Sequence, residues 1–189
     1  CAVVGVSLFA TSGDARAVLP VRDPVKVEQV SERTGLEPGR EVRLGVRLVH
    51  APGWHSYWRN PGDSGLPTEL QLESPGGWTA RPFEWPTPSR YAVGPLANHG
   101  YEGETLLPFR LRVPADWTDA EATIVARVTY LACKEVCIPG EARVSLRLPN
   151  LDAPLASRHA SVFERLDAIA ARPDPGLQLR AYLDARALT

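Results

Sequence analysis

The chain has 189 residues, of which 44% are hydrophobic and 23% charged, and its formal net charge is −1. This balance is typical of a globular protein and excludes a disordered chain. It also argues against nucleic acid or an anionic membrane surface as the main partner, because both need a concentrated basic face.

The first residues are expected to come from an export signal. Residues 2–10 (AVVGVSLFA) are small and apolar, and residues 15–17 (ARA) fit the small-x-small pattern before a signal-peptidase cleavage site. The apolar run is shorter than the roughly 20 residues that a membrane-spanning helix needs. We therefore interpret residues 1–17 as the remnant of a secretory signal peptide, with a disordered leader or part of a strand as the alternative.

Residues 18–150 are expected to form one β-domain. Prolines and glycines separate short segments in which apolar and polar residues alternate, as they do in half-buried strands. These segments are residues 25–30, 41–48, 68–72, 79–85, 107–113, 123–133 and 141–148. Pro108 predicts that its segment is an edge strand or contains a bulge. Seven short strands without a helical pattern before residue 155 predict an all-β, immunoglobulin-like antiparallel β-sandwich.

The pattern changes after residue 150. Residues 149–154 (PNLDAP) have the composition of a linker, and Ser157 is a candidate cap for a helix over residues 158–171 with one apolar stripe. Alternation then returns from Leu177. Residues 151–189 are therefore predicted to be a linker helix and the first strand of a truncated second domain.

Cys133 and Cys137 form the candidate reactive centre. If Cys1 belongs to the leader, they are the only cysteines of the mature chain, and export would allow their disulfide to persist. They flank a tight connection between two predicted antiparallel strands, close enough to bridge. The parity of the preceding strand sends Tyr130 to the core, so we expect Cys133 to point outward.

Three interpretations of this pair follow from the residues alone. A ring this small adds only about 2 kcal/mol of stability by loop entropy, which favours a reactive bridge over a structural one. A passive interaction domain with a stapled hairpin is the first alternative. The second is a copper or zinc site completed by a histidine, although none lies at close metal-ligand spacing to the cysteines. The candidate histidines are His50, His55, His99 and His159.

Several motifs taken together resemble one known family. They are residues 53–67 (GWHSYWRNPGDSGLP), 85–88 (WPTP), 100–104 (GYEGE), 107–108 (LP) and 133–139 (CKEVCIP). Over residues 20–150 they resemble the N-terminal periplasmic domain of the transmembrane thiol:disulfide interchange protein DsbD family, most nearly its suppressor-of-copper-sensitivity branch, ScsB.

The resemblance implies a protein-disulfide reductase without a bound cofactor. A membrane part of the same protein would pass electrons through a thioredoxin-like domain to this sandwich, which would reduce disulfide-carrying client proteins. The location implied is the periplasm, with attachment to the inner membrane through missing downstream segments. Cys137 matches the cysteine that forms mixed disulfides and Cys133 the one that resolves them.

The resemblance also implies a loop that covers the cysteines. The candidate cap loop is residues 89–101, in which Tyr91 or Tyr101 could shield the sulfurs, although Tyr101 has an equal claim to the core. Candidate partner-surface residues are His55, Tyr57 and Arg59. Burial under such a cap would disfavour a thiolate, whereas the nearby Lys134 would favour it.

Overall fold

The computed structural model describes residues 23–76, 78–82 and 85–169. The predicted signal remnant and the strand predicted from Leu177 lie outside these residues. Within them, the elements in chain order are β1 (Val25–Ser31), β2 (Glu41–His50), β3 (His55–Gly62), β4 (Glu69–Glu73), β5 (Thr79–Pro82), β6 (Ser89–Val93), β7 (Leu96–Glu102), β8 (Glu104–Arg112), β9 (Glu121–Cys133), β10 (Cys137–Pro149) and α1 (Ala160–Ile169).

The strands form two antiparallel sheets that pack face to face as an immunoglobulin-like sandwich, as predicted. One sheet has four strands in the order β1-β2-β8-β5. The other has six strands, ordered β10-β9-β3-β7-β6, and β4 also pairs with β9. The core between them comes from the alternate apolar positions of the long strands, such as Leu44 on β2, Phe109 on β8 and Ile124 on β9, all at 0% exposure.

The long hairpin of β9 and β10 fixes the position of the cysteines. Thirteen residues of each strand pair in one unbroken register, from Glu121 opposite Pro149 to Cys133 opposite Cys137. On β9, Ile124, Ala126 and the other even positions are buried, and this apolar face holds the register.

Neither an edge strand nor a bulge, the two outcomes predicted from Pro108, describes β8 as a whole, because its register with β2 is unbroken. β8 lies between β2 and β5, and Pro108 is opposite Gly45 of β2. β5, however, pairs only with residues 109–112 of β8. Pro108 therefore lies just beyond the end of β5. Proline has no N–H to donate, but at this position no hydrogen bond to β5 is required.

The helix predicted after residue 157 is present as α1 and packs on the outer face of the four-stranded sheet. Phe163 is fully buried and forms a second apolar cluster with Leu166, Val30 and Leu106. The Arg43 guanidinium on β2 donates to Asp167 of the helix at 2.6 Å. No helix in the described part of the chain is long and apolar enough to cross a membrane.

Candidate functional site

The two cysteines face each other across the turn of the β9–β10 hairpin. Cys133 is the last residue of β9 and Cys137 the first of β10, and they are direct register partners with Cα atoms 4.1 Å apart. A disulfide joins them. Their environments differ, since Cys133 is only 3% exposed whereas Cys137 is exposed to solvent. The pair therefore presents one sulfur to the outside and keeps the other covered.

The prediction that Cys133 points outward needs correction. Its parity is as expected, because Ala132 and Tyr130 belong to the core. Yet Cys133 is buried, because β3 pairs with this end of β9 and puts His55 directly opposite it. Residues opposite each other in a sheet share a face, and so do residues two apart on a strand. His55 and Tyr57 therefore cover Cys133 on the outer face of the six-stranded sheet.

Tyr57 makes a direct polar contact with the disulfide. Its hydroxyl donates a hydrogen bond to Cys133 Sγ at 3.5 Å, and the side chain is 4% exposed. Gly65, with a φ of +92°, packs so closely on the ring that a Cβ there would overlap it. Burial raises the pKa of the Tyr57 hydroxyl, so it remains a protonated donor at neutral pH.

His55 and Tyr91 extend the aromatic cover. The Tyr91 ring stacks on the imidazole of His55 with centroids 4.7 Å apart and planes at 14°, and Tyr57 meets His55 edge-on at 5.4 Å. Tyr91 lies on β6, so the predicted cap loop is a β-hairpin of β6 and β7. Burial lowers the pKa of His55, although the carboxylate of Glu102, its register partner on β7, opposes this shift.

His50 supports the site from β2. Its Nδ1–H donates to the Gly103 carbonyl at 2.9 Å, and its Nε2 therefore accepts from the Ser56 hydroxyl at 2.8 Å. Burial lowers the pKa of His50, which keeps this imidazole neutral and both hydrogen bonds in place. Ser56 lies between His55 and Tyr57, so the network fixes the backbone that carries them.

Two predicted residues lie apart from the cysteines. Tyr101 is 5% exposed, and its hydroxyl donates to the Pro86 carbonyl at 2.7 Å, so it belongs to the core. Arg59 is exposed and its guanidinium lies over the ring of Trp58, 5.1 Å from the centroid. Of the two cap tyrosines, the structure therefore brings only Tyr91 into the aromatic cover.

The turn between the cysteines carries a positive charge. Lys134 is exposed, and its Nζ donates to the Pro52 carbonyl at 3.5 Å. The exposed Val136, at 60%, gives the same turn an apolar tip beside Cys137. Across residues 23–76, 78–82 and 85–169, no three His, Cys, Asp or Glu side chains are grouped to hold a metal ion.

The sequence did not reveal the hydrogen bond from Tyr57 to Cys133 or the pairing of Glu102 with His55. Both depend on β3, which is not among the strands predicted from the sequence. The signal that could have indicated them is the spacing of His55 and Tyr57, which puts both side chains on one face of a strand. Pro61 and Gly62 interrupt that alternation and hide the strand.

Comparison with known proteins gives the family. Residues 22–149 match the family model for the thiol:disulfide interchange protein DsbD, N-terminal. The N-terminal periplasmic domain of ScsB from Proteus mirabilis is 23% identical with a TM-score of 0.55, over 80% of this chain and 56% of that one. The reduced N-terminal domain of DsbD from Neisseria meningitidis is 12% identical with a TM-score of 0.34, over 73% and 94% respectively.

No curated protein matches the chain. At 23% identity the likeness to ScsB concerns the fold alone, and the chain spans 56% of that domain. The family match supports more than the fold, because the matched residues 22–149 include both sheets and the cysteine pair. On that ground the chain belongs to the family of DsbD N-terminal domains.

Proposed function

We propose that this chain is a periplasmic thiol–disulfide exchange domain of a protein-disulfide reductase. Its reduced cysteine pair passes two electrons to the disulfide of a client protein and is reduced again by a thioredoxin-like domain of the same membrane protein. The family match and the periplasmic location of the ScsB domain support this assignment. The domain division at about residue 150 is part of the proposal.

The observation that carries the proposal is the unequal exposure of the two sulfurs. An incoming disulfide or thiolate has access to the exposed Cys137, while Cys133 is covered by Tyr57. Thiol–disulfide exchange needs one accessible sulfur for the mixed disulfide and a second one that resolves it. Cys137 is therefore assigned to the attack on the client and Cys133 to the resolving step.

The two cysteines alone supply the bonds and the two electrons that the exchange needs. The Cys137 thiolate attacks a client sulfur, which forms a Cys137–client disulfide and releases the other client sulfur as a thiolate. The Cys133 thiolate then attacks Cys137 Sγ and breaks that mixed disulfide, so the client leaves with two thiols and the domain holds the Cys133–Cys137 disulfide.

A trapping experiment tests the roles of the cysteines. Each variant carries Cys1→Ser, so that no third thiol interferes, and is mixed after reduction with an oxidised periplasmic disulfide isomerase. Cys133→Ser should accumulate a covalent heterodimer through Cys137 on a non-reducing gel, because the resolving thiol is absent. Cys137→Ser should trap far less, since the remaining thiol is buried.

The control is the double variant Cys133→Ser/Cys137→Ser, which should fold, by circular dichroism, and trap nothing. If both single variants trap equally well, the assigned roles are wrong. If neither traps the isomerase while both are folded, the exchange function itself fails.

A further inference from the structure

His55 is a half-buried titratable group that has no role in the exchange scheme above. It is the register partner of Cys133, and opposite residues on adjacent strands have Cβ atoms about 4.5–5.5 Å apart. Its Nε2 is buried and has no hydrogen-bond partner among the described residues. An unsatisfied buried nitrogen of this kind costs stability and calls for an explanation.

The resolving step requires a group that can accept the thiol proton of Cys133. Cys133 must lose its thiol proton to attack Cys137, and at 3% exposure it has little access to water that could take the proton. Tyr57 can stabilise the thiolate through the hydrogen bond that it already makes. It cannot accept the proton, however, because burial raises the pKa of its hydroxyl and keeps it protonated.

We propose that His55 is the general base of the resolving step, accepting the thiol proton of Cys133 at Nε2 as the Cys133 sulfur attacks Cys137. This inference rests on the proposed exchange function and adds a proton acceptor to it. The imidazolium then returns the proton to the departing client thiolate or to solvent. One S–S bond breaks as another forms, and no further oxidant or reductant is needed.

The groups around His55 fit a transient proton acceptor. Tyr91 and Tyr57 contact its ring and exclude water, so burial favours the neutral imidazole that can act as a base. Glu102, directly opposite on β7, brings a carboxylate that stabilises the imidazolium once it forms. His50 approaches from β2 and, by its own burial, stays neutral, so it adds no opposing charge.

The positively charged Lys134 on the neighbouring turn cannot take the place of His55 as the proton acceptor. Lys134 follows Cys133 in the chain, but its ammonium donates to the Pro52 carbonyl. As a cation it can favour a thiolate, but it has no lone pair to receive a proton.

The test measures the resolving step directly. The chain with Cys1→Ser is reduced and mixed with excess oxidised glutathione, and acid-quenched samples are followed by mass spectrometry. The glutathione adduct on Cys137 forms first and then decays as Cys133 attacks. Its decay is first order and independent of glutathione concentration, so the rate against pH reports on the proton transfer from Cys133 alone.

Two variants separate proton transfer from packing. His55→Gln keeps a polar side chain, and His55→Phe keeps an aromatic ring against Tyr91 and Tyr57. Both should slow the decay of the adduct about 10²-fold near neutral pH, the low end for loss of a general base. The deficit should shrink as pH rises, because hydroxide then removes the thiol proton. Formation of the adduct should change by less than about threefold, since it uses the exposed Cys137.

His159→Gln is the matched control, because His159 lies just before α1 and contacts Arg158. It should leave the decay profile unchanged. A His55→Phe variant that folds and keeps the wild-type rate–pH profile would overturn the inference and leave the exchange function standing. A wild-type chain that forms no adduct and no Cys133–Cys137 disulfide would instead overturn the exchange function, and this inference with it.

Discussion

The hydroxyl of Tyr57 is the one side-chain donor in the described structure that is hydrogen-bonded to a cysteine sulfur. Because Cys133 is buried, a thiolate there is costly unless a donor stabilises it. The hydroxyl acts on the charged form of Cys133, whereas the neutral thiol gains little from it. Tyr57 should therefore lower the pKa of Cys133 against the opposing effect of burial.

Tyr57→Phe should raise the pKa of Cys133. A hydrogen bond to a charged group contributes about 1.5–3 kcal/mol, and 1.36 kcal/mol corresponds to one pKa unit, so the expected rise is about one to two units. The measurement is the rate of alkylation against pH in chains that also carry Cys1→Ser and Cys137→Ser. The variant should therefore react more slowly at neutral pH and regain its rate at higher pH.

Tyr101→Phe provides the control for this measurement. Tyr101 also has a buried hydroxyl, but that hydroxyl donates to the Pro86 carbonyl and not to a sulfur. The pKa of Cys133 should be unaffected in this variant. An unchanged or lower pKa in Tyr57→Phe would contradict the role given to its hydroxyl.

At the scale of elements, the sequence predicted the long strands and missed the short ones that complete the site. β9 and β10 alternate over most of their length because one face of each meets the core. β2 and β8 keep the same alternation of inward apolar positions, although α1 also buries Leu106 on the outer face of β8. β3 was hidden by Pro61 and Gly62. β6 and β7 form a hairpin where a covering loop was expected. No local sequence pattern in these strands predicts that Tyr91 stacks on His55.

The burial of Cys133 could not be predicted for a related reason. Parity along β9 correctly assigns Cys133 to the face away from the core. Whether that face is open depends on which strand pairs beside it, and β3 is almost eighty residues upstream. Pairing between strands so far apart in the chain cannot be predicted from the local sequence pattern.

The helix α1 supplies a test at this scale. Phe163→Ala should lower the free energy of unfolding by about 3–5 kcal/mol, because the fully buried ring is lost from the cluster with Val30 and Leu106. Ile169→Ala on the same helix is the control. That side chain is 62% exposed, so its replacement should cost less than about 0.5 kcal/mol.

Urea unfolding followed by circular dichroism measures both variants. Equal effects of the two substitutions would mean that α1 is not docked on the sheet in solution. Adduct formation at Cys137 should be unchanged in folded Phe163→Ala, because the helix packs on the four-stranded sheet and the cysteines lie on the six-stranded one.

In the whole molecule, the outer faces of the two sheets carry different features. The four-stranded sheet carries α1, which Arg43 joins through its ion pair with Asp167. The six-stranded sheet carries the disulfide at the turn of its longest hairpin, under an aromatic cover from β3 and β6. Under the proposed function, the exchange partner is expected to approach the end of the six-stranded sheet, where Cys137 and Val136 are exposed.

In the proposed function, the Cys133–Cys137 disulfide exchanges electrons and is not a structural bridge. The most direct test of this function is the reduction potential of the pair, measured by equilibrating the Cys1→Ser chain with glutathione buffers and counting free thiols. Thioredoxin, glutaredoxins and protein disulfide isomerase lie between about −180 and −270 mV, and we predict a value in that range. A potential below about −300 mV, typical of structural disulfides, would contradict the proposed function.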